Sequence, residues 1–146
     1  MFKHILICTD GSPLANKAAK AGIALAHALG AKITAYYAAE QLQPIYGEGY
    51  MLNQKMIDGF EERAREVGQK RVDAIGKMAK AAGVPFVSVV TKASTAYEGI
   101  IDAAKKQKCD VIFMASHGRR GFSKLIMGSV TQKVLTHSRI PVVVYR

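Results

Sequence analysis

Val111-Ile112-Phe113-Met114-Ala115, then Ser116-His117-Gly118-Arg119-Arg120-Gly121-Phe122-Ser123-Lys124-Leu125-Ile126-Met127, then Gly128-Ser129-Val130-Thr131, is the stretch that decides how the rest of the chain is read. Five apolar residues without alternation predict a strand covered on both faces, which is the habit of a parallel sheet. The strand empties into a loop carrying Gly118, Gly121 and Gly128 together with Arg119, Arg120 and Lys124. Ser129 then caps a final helix marked by Val130, Val134 and Leu135. Backbone N–H groups laid open by glycine, a helix N-terminus with its partial positive charge, and arginines are the parts from which anion sites are made.

Upstream, Phe2 to Cys8 is a short apolar run ended by Thr9-Asp10-Gly11-Ser12-Pro13. Ser12 is placed to cap a helix and Pro13 suits its first position, after which Leu14, Ala18, Ala21, Leu25 and Leu29 recur at steps of three and four until Gly30. Lys32 to Ala38 predicts a second strand, and Glu40 to Tyr50 an irregular connection. Met51 to Ala82 is helical in pattern, with an apolar stripe of Met56, Phe60, Ala64, Val67, Val72, Ile75 and Ala79. Gly59, Gly68 and Gly76 weaken it and leave room for a bend. Pro85 to Thr91 predicts a third strand, Thr95 and Glu98 have the spacing of a capping box, and Val142 to Tyr145 forms a last strand.

The order β-α-β-α-β-α-β-α-β specifies an α/β fold, a doubly wound, five-stranded parallel sheet. With strands two and three on one side of strand one, and four and five on the other, the strand order is 3-2-1-4-5. Ligands bind such sheets outside the carboxyl ends of the strands where the winding reverses. That switch point sets Thr9-Asp10-Gly11-Ser12 against Ala115 to Gly121 and joins two separate sequence features into one pocket.

Composition narrows the partners. The 146 residues suffice for one domain with a sizeable core, and no run approaches the length of a membrane span. The N-terminus becomes charged too soon for a secretory signal, so a cytoplasmic protein with no membrane association is expected. Lysine and arginine exceed aspartate and glutamate by 21 to 11. The excess is scattered along helices, without a basic run interleaved with aromatics, which argues for solvated faces and against nucleic acid. Cys8 and Cys109 show no ligand spacing and read as small buried side chains.

Within the pocket, Gly118 and Gly128 bracket nine residues whose ends both offer backbone donors, and Ser129 and Thr131 add hydroxyls. Asp10 accepts only, and suits ribose hydroxyls, an adenine amine or a divalent cation; equally, it ends a strand and caps a neighbouring N–H. His117 has no nucleophile and supporting acid beside it in sequence and reads as a satisfied loop histidine. His4, His27 and His137 give no metal-ligand pattern. GxxxxGK[ST] is absent, which disfavours a Walker-type ATPase.

The chain resembles the universal stress proteins end to end, and within them the ATP-binding branch. The family's nucleotide motif is glycine, two residues, glycine, nine residues, glycine and serine or threonine. Here it stands as Ala115-Ser116-His117-Gly118, nine residues, Gly128-Ser129. Ile5-Leu6-Ile7-Cys8-Thr9-Asp10-Gly11-Ser12 and Ile140-Pro141-Val142-Val143-Val144 match as well. The resemblance implies one universal stress protein domain over 1–146, Rossmann-like and similar to the adenine nucleotide alpha hydrolases. It implies that ATP, with or without Mg²⁺, is the cofactor: Asp10 at the adenosine with Thr9 beside it, the Ala38 backbone near the base, Met114, Ala115, Gly118 and Arg119 along ribose and phosphates, and Gly128, Ser129, Val130 and Thr131 completing the phosphate cradle. It also implies a homodimer through the C-terminal strand, and a role as nucleotide-dependent stress-response regulator with no catalytic residues. Slow ATP hydrolysis or self-phosphorylation on Ser123 or Ser129, and a nucleotide-independent interaction protein, are the alternatives. Ala115 in place of the first motif glycine is the one departure.

Overall fold

The computed structural model describes residues 1–41, 53–119 and 127–146; Arg120, Gly121, Ser123, Lys124 and most of the connection after Glu40 lie outside them. Strands β1 (His4–Cys8), β2 (Lys32–Glu40), β3 (Phe86–Ala93), β4 (Val111–Ala115) and β5 (Val142–Tyr145) alternate with helices α1 (Pro13–Leu29), α2 (Gln54–Ala81), α3 (Ala96–Lys106) and α4 (Ser129–His137). The sheet is parallel throughout, in the order β3-β2-β1-β4-β5. This is the order the sequence predicts. β1 and β4 are buried at every position because helices cover both their faces. Neighbours in register, Ile5 with Ile33 and Val111, bring the carboxyl ends of β1, β2 and β4 to one edge.

Alternation along each strand divides the core in two. Ile5, Ile7, Ile33, Val111, Phe113 and Ala115 meet α1 and α2. Leu6, Cys8, Tyr36, Ile112 and Met114 meet α3 and α4. α1 begins as predicted, Ser12 Oγ accepting the Ala15 N–H at 3.1 Å with Pro13 behind it, and ends on Gly30 at φ 61°. Its buried face is made of small residues, Ala15, Ala18, Ala19, Gly22 and Ala26 around Ile23, so it lies close on β1 and β4. A methyl at Gly22 would meet Ile7 Cδ1 at 3.0 Å.

α2 corrects the sequence reading. It runs unbroken for 28 residues from its Asn53 cap, whose side chain accepts the Met56 N–H. The glycines do not break it. Gly68 and Gly76 are buried where the rings of Tyr37 and Phe86 press on the helix, and a Cβ at either would come within about 2.5 Å of a ring carbon. Only the C-terminal half of the predicted stripe is core: Val72, Ile75 and Ala79 are buried, while Met56, Phe60 and Val67 are exposed. The helix is about 42 Å long against roughly 30 Å for a nine-residue strand, and its exposed apolar residues fall in its first half, where Ala64 packs on the core and Glu61 pairs with Lys92 of β3.

Two caps also differ from expectation. The Thr95 hydroxyl donates to the Glu98 carboxylate at 2.6 Å instead of accepting a backbone N–H. Gly128, not Ser129, is the N-cap of α4, and Ser129 is the first helical residue. Val130 and Leu135 are exposed, and Thr131 and Val134 are the buried residues of that helix.

Candidate functional site

The carboxyl ends of β1, β2 and β4, with the starts of α3 and α4, enclose a cleft of about 510 Å³. This is an ordinary size for a pocket that takes a small organic ligand. Two loops form its facing walls. In the β1–α1 loop, Thr9 Oγ1 accepts the Gly11 N–H at 3.0 Å and Gly11 turns the chain at φ 79°. The Thr9 N–H is itself held by the Tyr36 carbonyl. In the β4–α4 connection, the Gly128 N–H donates to the Ser116 carbonyl at 2.8 Å and closes the neck of the loop. Gly128 is packed so tightly there that a Cβ would stand 3.0 Å from the His117 Cα.

Asp10 joins the two walls. Its Oδ1 accepts the Ser12 N–H at 2.9 Å and its Oδ2 accepts the Arg119 N–H at 2.8 Å. The predicted meeting of these loops is thus one direct hydrogen bond, Arg119 N–H to Asp10 Oδ2, on a carboxylate held in its own loop by Ser12.

At the start of α4 the donors are open. A glycine N-cap brings no side-chain acceptor, and no side chain among the described residues caps the first backbone N–H groups of the helix. The Thr131 hydroxyl, counted in the sequence as a donor for the ligand, donates instead to the Ala115 carbonyl at 2.9 Å from a buried position. Ser129 and Val130 are exposed on the cleft wall. His117 also lines the cleft, its Nδ1 hydrogen-bonded to Ser116 Oγ at 3.2 Å.

The inner end is apolar. Met114, Ile100, Ala38 and Ala96 line it with Cys8 and Tyr36. Burial pushes the Cys8 thiol well above its usual range, so it stays protonated. Burial likewise pushes the Tyr36 phenol up to about 12, against the pull of its 2.7 Å hydrogen bond with Thr91.

The universal stress protein family profile matches residues 1–146. The chain belongs to the universal stress protein family. It is 32% identical over 146 residues to the universal stress protein in the QAH/OAS sulfhydrylase 3′ region of Thermus aquaticus, with both chains covered in full. Solved structures share the fold. Protein MJ0577 of Methanocaldococcus jannaschii superposes with a TM-score of 0.79 at 24% identity, covering 99% of this chain and 95% of that one. A universal stress protein in complex with cAMP gives 0.69 at 19% identity over 99% and 97%. The Archaeoglobus fulgidus universal stress protein in complex with dAMP gives 0.62 at 14% identity over 100% and 98%.

Within this universal stress protein fold, the candidate nucleotide-site residues Thr9, Asp10, Ala38, Met114, Ala115, Gly118, Arg119, Gly128, Ser129, Val130 and Thr131 line this cleft, while Arg120, Gly121, Ser123 and Lys124 lie outside the described residues. The departure at Ala115 falls on ordinary strand backbone, since Lys108 is the only non-glycine with positive φ among the described residues. Its methyl packs into the core shared with α1 and α2. Ala15, Tyr37, Glu40, Ala96 and Ile100 were not anticipated. Glu40 and Tyr37 were within reach, because β2 lies next to β1 in the predicted order. Ala96 and Ile100 look in sequence like any other core face of an amphipathic helix.

Proposed function

We propose that this chain is a nucleotide-dependent regulator of the stress response that binds an adenine nucleotide, ATP first among them, in the switch-point cleft, and signals its presence without turning it over. The observation that carries the reading is the joining of two loops by Asp10 beside the uncapped start of α4, over an apolar inner end. Purine suits the inner end, ribose hydroxyls suit a carboxylate acceptor, and phosphates suit backbone N–H groups at a helix start. The cAMP and dAMP complexes of proteins with the same fold support an adenine ligand.

Among the described residues no group of three or more His, Cys, Asp or Glu gathers. A magnesium ion accompanying ATP would draw oxygens from the phosphates and from water, and Asp10 and Glu40 are the carboxylates among the described residues that line the cleft. β5 is an edge strand with all four residues partly exposed, which supports a homodimer formed by pairing of two β5 strands. No helix among the described residues is long and apolar enough to cross a membrane, which is compatible with the cytoplasmic location we propose.

The test is to identify nucleotide released from protein purified out of cells, then to titrate ATP, AMP and cAMP by calorimetry. Co-purified adenine nucleotide, or saturable heat with at least one of the three, is expected. Its absence with all of them refutes the reading and leaves an interaction protein. Sedimentation equilibrium tests the dimer, and a monomer at all micromolar concentrations refutes it.

A further inference from the structure

Asp10 lies against the loop to which the nucleotide reading assigns phosphate. Its Oδ2 holds the backbone N–H of Arg119, a donor on the loop that the phosphate reading assigns to the ligand. The carboxylate is pressed so closely on this loop that a Cβ at Gly118 would lie 2.3 Å from Oδ2 and 3.3 Å from Cγ. There is room at Gly118 for one hydrogen and nothing more. A phosphate oxygen approaching the Arg119 N–H would meet a like charge already bonded to it, and two anions so close disfavour each other strongly.

We propose that Asp10 is an internal anion that occupies the phosphate position of the β4–α4 loop in the free protein and must hand over the Arg119 N–H when a nucleotide enters. This rests on the nucleotide reading above and adds its regulation. The exchange is balanced in donors. Oδ2 gives up one N–H and takes ribose hydroxyls in return, while Oδ1 keeps the Ser12 N–H that fixes the side chain. A ligand with phosphate but no ribose removes the Arg119 N–H from Asp10 and returns nothing, so it leaves a carboxylate unsatisfied beside a second anion. The same residue thereby keeps inorganic phosphate chains out and admits nucleotides. The family's contact between this aspartate and adenosine does not by itself require such a competition, which follows here from the 2.8 Å bond and the absence of space at Gly118.

Inorganic tripolyphosphate is the probe that isolates the effect. Wild-type protein should bind it weakly, and Asp10→Ala should bind it at least roughly tenfold more tightly, because a charge-assisted hydrogen bond is freed and a repulsion removed. ATP binding should weaken in the same variant. Asp10→Asn, which keeps an oxygen for Arg119 but not the charge, should fall between the two for tripolyphosphate and guards against a folding defect in the alanine variant. Independently of any ligand, the Arg119 amide in a ¹⁵N NMR spectrum should shift as Asp10 is titrated with acid, and should lose that response in Asp10→Ala. An Arg119 amide indifferent to Asp10, or tripolyphosphate affinity unchanged in both variants, overturns the proposal even if ATP binds. A responsive amide with a gain for tripolyphosphate upholds the internal anion even if ATP does not bind, and it is then the nucleotide reading that falls.

Discussion

The Thr131 hydroxyl donates to the carbonyl oxygen of Ala115 across 2.9 Å, both residues being buried. One hydrogen bond thus fixes the first turn of α4 to the last residue of β4 and sets the distance between the two ends of the glycine loop. Thr131→Val keeps the shape and removes the donor, leaving a buried carbonyl short of a partner. We expect a loss of about 1–3 kcal/mol in urea unfolding, with Thr131→Ser recovering most of it. An unchanged midpoint in the valine variant would show that the bond contributes nothing.

Ala115 stands where the family motif usually has glycine, and its backbone is ordinary strand. Restoring glycine should therefore not tighten nucleotide binding. It should cost stability, by about 1–2 kcal/mol, from the lost core methyl and the added freedom of the unfolded chain. Calorimetric titration of ATP beside urea unfolding of Ala115→Gly checks both halves. A marked gain in affinity would mean that the methyl obstructs the ligand.

Gly118 has no positive φ, so its requirement is one of space. Gly118→Val puts carbon where Asp10 Oδ2 now lies and drives the carboxylate off the loop. ATP affinity should fall by roughly tenfold or more, because the displaced carboxylate no longer meets the ribose hydroxyls and the valine side chain takes cleft space from the ligand. Circular dichroism should stay native, because Gly118 is exposed and outside the core. Native affinity in the valine variant would remove this part of the loop from the site.

At the opposite end of the sheet, His4 is buried with its Nε2 2.8 Å from Thr34 Oγ1. Burial, and then the charge of Lys32, hold its pKa below the usual histidine value, against the opposing effects of Asp110 and the Lys108 carbonyl. The folded state therefore binds this proton less readily than the unfolded state. Stability from His4 is complete above the unfolded value near pH 6.5 and is lost as pH falls below it, toward the folded value. Urea midpoints of wild type should drop between about pH 7 and pH 5 more steeply than those of His4→Gln. Parallel profiles would show that His4 titrates alike in both states.

Much of this was legible in the residues. Ser12-Pro13 and Gly30 mark the ends of α1 because capping and φ > 0 are local matters, decided within a few residues. The unalternating runs at Ile5 to Cys8 and Val111 to Ala115 identify buried parallel strands, and β-α alternation leaves few topologies. Local pattern misled where the partner decides. Met56, Phe60 and Val67 have core spacing, yet they are exposed, and only Ala64 of that half of the stripe packs against the core. Ser129 is a good cap by type, but the chain turns one residue earlier, at Gly128.

For the site, the sequence named the groups on offer, an acceptor at Asp10 and donors at Gly118, Gly128 and Ser129, and a switch point to bring them together, but the Gly128 N–H is held by the Ser116 carbonyl. Only the tertiary structure decided who holds whom. Thr131 is spent on Ala115, and Asp10 is spent on Ser12 and Arg119. A hydrogen bond between residues 109 apart in the chain leaves no periodicity and no spacing to read, since it depends on the few tenths of an ångström by which packed strands and helices set two loops against each other.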